Sequence, residues 1–87
     1  MIFTRTSTLN FWGEYRADGL NIYSEIDDDE MGFKSEIRFI IPSEALEKLF
    51  SVISEQEFFT LCKKDGLDGM LTFLDSHNIP YRKESMY

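Results

Sequence analysis

The stretch of sequence that decides the fold spans residues 9–26 and reads LNFWGEYRADGLNIYSEI. Asp18-Gly19 near its centre is a strong two-residue hairpin signal, because a type I′ turn needs positive φ at both central positions. A turn centred on these two residues places Trp12 opposite Glu25. In that register apolar side chains fall on one face and mostly polar ones on the other, as a half-exposed antiparallel sheet requires. The stretch therefore predicts two paired strands.

A third strand is predicted in FKSEIRFII, residues 33–41, where apolar and polar residues alternate. A register with Glu25 opposite Lys34 pairs opposite charges and keeps the apolar side chains on one face. Residues 27–32, DDDEMG, are then left over as the loop between the second and third strands. The acidic run is thus predicted to occupy a hairpin tip.

Helical patterns fill the next part of the chain. In SEALEKLFSVI, residues 43–53, apolar residues recur at the i, i+3, i+4 and i+7 positions of one helix face. A second helix is predicted to begin at Ser54 and Glu57, which have the spacing of a capping box. DGLDGMLTFLDSHN, residues 65–78, predicts a third short helix, with Asn78 as a left-handed residue at its C-terminal end.

The predicted fold class is α+β, an antiparallel β-meander of three strands with two to three helices packed on one face. IPYRKESMY, residues 79–87, adds a possible fourth strand at the C-terminus. The chain has 87 residues, of which 43% are hydrophobic. That length gives a single domain, residues 1–87, with one core.

Composition limits the classes of function. Sixteen acidic residues against nine basic ones give a net charge of −7. Nucleic acid and anionic membranes repel such a chain, so neither is expected as a direct ligand, and its field favours a cationic partner. The sequence has one cysteine, no signal-peptide apolar block, and no run of the roughly 18 apolar residues that a membrane span needs. We therefore expect a cytoplasmic protein.

No catalytic or metal-binding motif is evident in the sequence. A calcium-binding EF-hand loop that starts at Asp27 fails, because Met31 and Arg38 fall where oxygen ligands are required. The one cysteine, Cys62, has helical spacing among apolar residues, so packing is its simpler role. The one histidine, His77, lies near a predicted helix C-terminus, where it stabilises the helix dipole. We expect no enzymatic activity, no metal and no cofactor.

The acidic run permits two interpretations. One is a solvated hairpin tip, since Asp and Gly are ordinary turn residues. The other is a docking surface for the Lys and Arg side chains of a partner protein. Trp12 and Tyr23 fall on the polar face of the predicted sheet, where exposed aromatics beside carboxylates resemble interface anchors. Alternatively, a helix or the C-terminal segment covers these two rings.

The last third of the chain carries a resemblance to a known family. Residues 66–81 read GLDGMLTFLDSHNIPY and contain the pattern GL-x-G-x-L-x-F-L-D followed by I-x-Y. This ending is similar to the tails of small bacterial immunity proteins of the contact-dependent growth inhibition type. The resemblance implies a protein that binds and neutralises one cognate toxin domain, one to one, in the cytoplasm of the producing cell. Many such toxins are nucleases, whose basic active sites an acidic surface can occlude.

On this resemblance, the acidic run pairs with basic toxin residues, and the two aromatic side chains supply contact area. The candidate partner-binding residues are Asp27, Asp28, Asp29, Glu30, Glu25, Tyr23 and Trp12. An interface in the C-terminal segment, with Tyr81, Arg82, Met86 and Tyr87, is the other location considered. The alternative function is an acidic nucleic-acid mimic or adaptor that inhibits a DNA-binding protein. A small enzyme, a metal-dependent regulator and a structural subunit are the further alternatives.

Overall fold

The computed structural model describes residues 1–6, 9–28 and 32–85. Within these residues, five strands form one sheet in the order β1-β2-β3-β4-β5, and every neighbouring pair is antiparallel. The strands are β1 (Ile2–Arg5), β2 (Leu9–Arg16), β3 (Gly19–Asp28), β4 (Phe33–Pro42) and β5 (Arg82–Ser85). The helices α1 (Ser43–Val52) and α2 (Glu55–Ser76) connect β4 to β5. The predicted α+β class, the meander and the C-terminal strand are confirmed, whereas β1 was missed.

The hairpin of β2 and β3 turns one position earlier than predicted. Ala17 and Asp18 occupy the turn, and Trp12 lies opposite Tyr23 instead of Glu25. Gly19 follows the turn at φ +136°, and a Cβ atom there would lie 2.1 Å from the carbonyl oxygen of Ile41. The register therefore differs from the predicted one by two residues. A shift of two leaves every side chain on its predicted face, because strand side chains alternate with period two.

The β3–β4 pairing also differs by two residues from the predicted register. Lys34 lies opposite Asp27, and Glu25 lies opposite Glu36. Residues 27 and 28 therefore belong to strand β3, not to the predicted loop. The ladder continues outward because an extended backbone satisfies its hydrogen-bonding groups in pairs, whereas a six-residue loop would leave them to water.

The core lies between the sheet and the helices. Alternate residues of β1 to β4 face inward, and α1 lies against β3 and β4 while α2 lies against β1. The buried residues of this cluster are Phe3, Phe11, Leu20, Ile22, Phe39, Ile41, Ala45, Leu49, Phe58, Cys62, Met70, Leu74 and Ile79. Both helices cover the same face, and within the described residues no helix covers the opposite face, although Asn21 and Ile40 on it are buried.

Helix α2 combines the second and third predicted helices. Its start is the predicted cap, where the Ser54 hydroxyl oxygen accepts the Glu57 N–H at 3.1 Å. Gly66 breaks the helix with φ 71° and ψ −162°, angles that a residue with a side chain rarely adopts. The chain therefore changes direction at Gly66, and the second half of α2 packs Met70 and Leu74 into the core.

The C-terminal end of α2 is a Schellman motif. The Ile79 N–H donates to the Leu74 carbonyl at 2.9 Å, and the Asn78 N–H donates to the Asp75 carbonyl at 3.2 Å. Asn78 has φ 55°, so its predicted left-handed conformation is confirmed. Ile79 and Leu74 are both buried in the core, and this contact anchors the chain as it leaves the helix for β5.

Substitution of Asn78 tests this motif. We expect Asn78→Gly to leave the free energy of unfolding nearly unchanged, because glycine adopts the left-handed region without a steric cost. Asn78→Ala should lower it by about 1 kcal/mol, because a Cβ atom without a compensating polar group is disfavoured there. Urea denaturation followed by circular dichroism measures both changes. Equal stability of the two variants would contradict the assigned backbone conformation.

Candidate functional site

The uncovered face of the sheet collects most of the polar residues of the strands. Alternation along the strands and the cross-strand pairs place one set of side chains together on this face. We call it the open face, and its members are Ile2, Arg5, Asn10, Trp12, Glu14, Arg16, Asn21, Tyr23, Glu25, Asp27, Lys34, Glu36, Arg38, Ile40, Arg82 and Glu84. The candidate residues Trp12, Tyr23, Glu25 and Asp27 lie on it together.

The middle of the open face neutralises its own charges. Three arginines each have a carboxylate partner, in the ion pairs Arg16–Glu14, Arg38–Glu84 and Arg82–Asp18. The Arg16 guanidinium, 2.6 Å from Glu14, holds the pKa of that carboxyl below its usual value. The Glu84 carboxylate, followed by the Tyr23 hydroxyl, raises the pKa of Arg38. These cations are already engaged within the protein, so they offer little to an anionic ligand.

Two stacked aromatic rings occupy the same region. The Trp12 and Tyr23 rings lie 5.0 Å apart with an interplanar angle of 12°. The Arg16 guanidinium also lies over Tyr23, 5.9 Å from its ring centroid. Tyr23 is only 8% exposed, whereas Trp12 is half-buried. Within the described residues, the Trp12 ring and the Arg16 guanidinium lie against Tyr23, and Trp12 is the more exposed of the two rings.

A cleft lies beside Trp12. Its volume is about 290 Å³, and β1 and β2 supply its walls. The lining residues are Ile2, Thr4, Arg5, Asn10, Phe11 and Trp12. The pairing of β1 with β2 is irregular between Ile2 and Thr4, at the level of this cleft. A concave, mostly apolar surface next to the half-buried Trp12 ring suits one large side chain of a partner.

The negative charge of the protein is concentrated in residues 25–36, which we call the acidic arm. This segment contains six carboxylates and one lysine, a net charge of −5 out of −7 for the chain. Among the described residues, the pairing of β2 with β3 extends to Ile26, and that of β5 with β4 extends to Ile37. Outward of these residues, β3 and β4 continue to pair with each other, Asp27 with Lys34 and Asp28 with Phe33. Ile26 at its base is 38% exposed on the helix side.

Like charges face each other at the base of the arm. Glu25 on β3 and Glu36 on β4 are direct cross-strand partners, and both are half-buried. Asn10 on β2 lies on the other side of Glu25. The ion pairs of the described residues include neither glutamate. Two carboxylates in these positions repel each other and destabilise the strand pair.

Substitution of Glu36 tests this repulsion, because the free energy of unfolding should rise when the repulsion is removed. We expect Glu36→Gln to raise the free energy of unfolding by a few tenths of a kcal/mol at low ionic strength, because it removes the like-charge contact with Glu25. The gain should shrink in high salt, which screens the repulsion. Glu84→Gln makes the same chemical change on the same face but removes the partner of Arg38, so it should lower the unfolding midpoint. Denaturant titrations at two salt concentrations measure both, and a loss of stability in Glu36→Gln would contradict the repulsion.

The structure distributes the seven predicted site residues unevenly. Glu25, Asp27 and Asp28 lie on strand β3 within the acidic arm, and Trp12 and Tyr23 lie on the open face. Asp29 and Glu30 lie outside the described residues. Sequence reasoning missed Glu36 and Asn10. Their signal was the alternation itself, because both residues occupy polar-face positions in their strands.

Cys62 and His77 occupy structural positions. Cys62 is fully buried, and burial raises the pKa of its thiol to about 12, so the reactive thiolate is scarce at neutral pH. His77 stacks on Phe73 with 4.2 Å between ring centroids, and its Nδ1 lies 3.0 Å from the Phe73 carbonyl oxygen. Within residues 1–6, 9–28 and 32–85, no three His, Cys, Asp or Glu side chains are placed to hold a metal ion.

The alternative C-terminal interface is partly engaged within the protein. The Tyr81 hydroxyl donates to Asp75 at 3.1 Å, and the Tyr81 ring contacts Phe39. Arg82 lies 3.7 Å from Asp18. Met86 and Tyr87 lie outside the described residues. The described part of this segment therefore fastens β5 to the rest of the fold.

Comparisons with known proteins add no assignment to this geometry. In the part of the chain that the structure describes, no helix is both long enough and apolar enough to cross a membrane. The sequence matches no protein-family model, and searches of curated proteins and of solved structures likewise gave no match.

Proposed function

We propose that this protein is an immunity protein that binds a cationic toxin domain and blocks its basic active site with the acidic arm. The observation that carries the proposal is the concentration of charge, −5 of −7, in residues 25–36. The resemblance of residues 66–81 to immunity-protein tails supports the same function. On this proposal the protein acts in the cytoplasm, where the toxin would reach its substrate.

The shape of the arm suits the proposed target. A nuclease groove is basic because it holds phosphates, and carboxylates can take the positions of those phosphates. Two strands lie about 5 Å apart, so a two-stranded ribbon is narrow enough to enter a groove that admits a nucleic-acid strand. A concentration of negative charge also accelerates encounter with a basic partner, which matters when the free partner is lethal.

The retention of Glu25 opposite Glu36 also supports a binding role. This pair weakens the fold, whereas a basic partner would relieve the repulsion on binding. Residues that oppose the stability of a fold are common at functional sites. The substitution that stabilises the free protein, Glu36→Gln, should therefore weaken the complex.

The experiment compares two triple variants that each remove three negative charges. The arm variant is Glu25→Gln, Asp27→Asn and Glu36→Gln. The control variant is Glu44→Gln, Glu47→Gln and Asp68→Asn, which changes exposed carboxylates on the helices. The wild-type protein is used to capture its partner from lysate of the native cell, and the purified partner is then assayed for nuclease activity and for binding to all three proteins.

We expect one basic partner whose nuclease activity the wild type and the control variant abolish, and affinity at least tenfold lower for the arm variant. Equal binding by both variants would move the interface away from the arm. Capture of many unrelated DNA-binding proteins would favour nucleic-acid mimicry. A captured protein that retains full activity in the complex would contradict the immunity function.

A further inference from the structure

Trp12 supplies an aromatic wall of the cleft beside it. Tyr23 on β3 covers one side of the Trp12 ring, at a centroid distance of 5.0 Å. Ile2 and Phe11 also line the cleft, and Ile2 on β1 is the cross-strand partner of Trp12. The wall and floor are therefore apolar and partly flat. Such a surface accepts the aliphatic stem and planar end group of a side chain laid along it.

Hydrogen-bond acceptors lie next to this wall. Asn10 lines the cleft and is the cross-strand partner of Glu25, which in turn faces Glu36. The hydrogen bonds and ion pairs found within residues 1–6, 9–28 and 32–85 use none of these three side chains. Trp12 and Asn10 line the cleft, and the carboxylates of Glu25 and Glu36 follow Asn10 on the next two strands, outside the cleft lining. A planar cation with several donors fits this sequence of groups.

We propose that this part of the open face binds an arginine side chain of the cationic partner, with the guanidinium stacked on Trp12 and hydrogen-bonded to Asn10 and Glu25. The inference rests on the proposed function, because it specifies what the same partner places beside the arm. Arginine fits better than lysine, since its guanidinium is flat and presents five N–H donors in a fork. A cation over the half-buried Trp12 ring also gains attraction from the ring. The Glu25–Glu36 repulsion is relieved by the same contact.

Arg5 provides a test of the proposal, because removal of its charge should change the affinity in a defined direction. It lines the cleft opposite Asn10, and no ion pair within the described residues includes it. Its positive charge opposes the entry of a second guanidinium. Removing that charge should therefore strengthen the binding of arginine, whereas it would weaken the binding of an anionic or carboxylate ligand in the same cleft.

Trp12 reports on its own site, because it is the only tryptophan in the chain. The probes are oligoarginine and oligolysine peptides of equal length, titrated at low ionic strength and followed by tryptophan emission and calorimetry. We expect oligoarginine to bind about two to five times more tightly than oligolysine, the range that a cation–aromatic contact at an exposed site supplies. Only oligoarginine should shift the emission of Trp12 strongly.

Two variants with controls complete the test. Trp12→Leu, followed by calorimetry, should bring the arginine-to-lysine affinity ratio close to one while charge-driven binding remains. Arg5→Gln should tighten oligoarginine binding more than Lys63→Gln does, a control that removes one exposed positive charge from α2. Both peptides should bind more weakly to the Glu25→Gln and Glu36→Gln double variant than to the Glu44→Gln and Glu47→Gln control.

The outcomes separate the two proposals. If neither peptide binds the wild type at low ionic strength, the protein has no affinity for polycations and the proposed function fails with the subsite. If both peptides bind equally and leave Trp12 emission unchanged, the proposed arginine subsite is contradicted, whereas the proposed binding role of the acidic arm is not. If Arg5→Gln weakens oligoarginine binding relative to Lys63→Gln, the cleft does not accept a guanidinium.

Discussion

Replacement of Gly19 by alanine is expected to lower the free energy of unfolding by about 3 kcal/mol or more. At φ +136° a residue with a side chain is strained, which costs about 1–3 kcal/mol. The added Cβ atom would lie 2.1 Å from the Ile41 carbonyl oxygen, and the atom it meets belongs to the backbone of a central strand. This clash could be relieved only if β4 moved away from β3. A domain of this size has only about 4–13 kcal/mol of stability in total.

Gly32→Ala is the matched control. Gly32 also has positive φ, at +65°, but a Cβ atom there would meet nothing within 4 Å. Gly32→Ala should therefore lower the free energy of unfolding only by the cost of the backbone conformation, about 1 kcal/mol. Urea denaturation midpoints of the two variants measure the difference. If Gly19→Ala is as stable as Gly32→Ala, the turn after Asp18 can rearrange and the close approach to Ile41 does not fix it.

Truncation of Phe58 to alanine is expected to lower the free energy of unfolding by about 3–5 kcal/mol. Phe58 is fully buried where three helical segments meet. Its ring contacts Phe50 of α1 at 6.5 Å, Phe59 beside it at 6.1 Å, and Phe73 of the second half of α2 at 6.3 Å between centroids. Alanine would leave a cavity among these rings and would remove the ring contact between the two halves of α2 on either side of Gly66.

Phe59→Ala separates burial from helix propensity. It makes the same change at the next position of α2, where the side chain is half-buried and contacts Phe3 at 5.8 Å and Tyr15 at 6.5 Å between centroids. Phe59→Ala should lower the free energy of unfolding clearly less than Phe58→Ala does. Thermal and urea unfolding of both variants provide the comparison. Equal losses would place the packing centre of the helices elsewhere in the core.

The arrangement of charges bears on the choice between immunity and nucleic-acid mimicry. A mimic needs a continuous array of negative charges at phosphate-like spacing. On the open face, Arg16, Arg38 and Arg82 interrupt the acidic residues, and Lys34 lies opposite Asp27 on the arm itself. A mixed surface of this kind favours one complementary partner over many. Capture of one basic partner would favour the proposed immunity function, and capture of many unrelated DNA-binding proteins would favour mimicry.

The sequence predicted the elements well where the signal was local. The two-residue alternation of β2 to β4, the apolar stripe of α1, and the cap at Ser54 each depend on residues close together in the chain. The left-handed Asn78 is local in the same sense. Strand β1 was missed because its four residues give too short a pattern, and only β2 beside it makes it a strand.

The candidate site followed from the sequence in part. Assignment of Trp12, Tyr23 and Glu25 to the polar face required only the period of the strands, which a register error of two residues preserves. The depth of burial was not accessible in this way. Tyr23 is covered because Trp12 and Arg16 lie over it, and both contacts depend on which residues are cross-strand neighbours.

By itself, the sequence determined the α+β class, the face on which each strand residue lies, and the concentration of negative charge in residues 25–36. Only the tertiary structure decided the register, and with it the meeting of Glu25 with Glu36 and the cleft beside Trp12. The physical reason is that hydrophobic alternation is unchanged by a shift of two residues. The close approach of Gly19 to the Ile41 carbonyl, a contact between distant parts of the chain, accompanies the one register adopted.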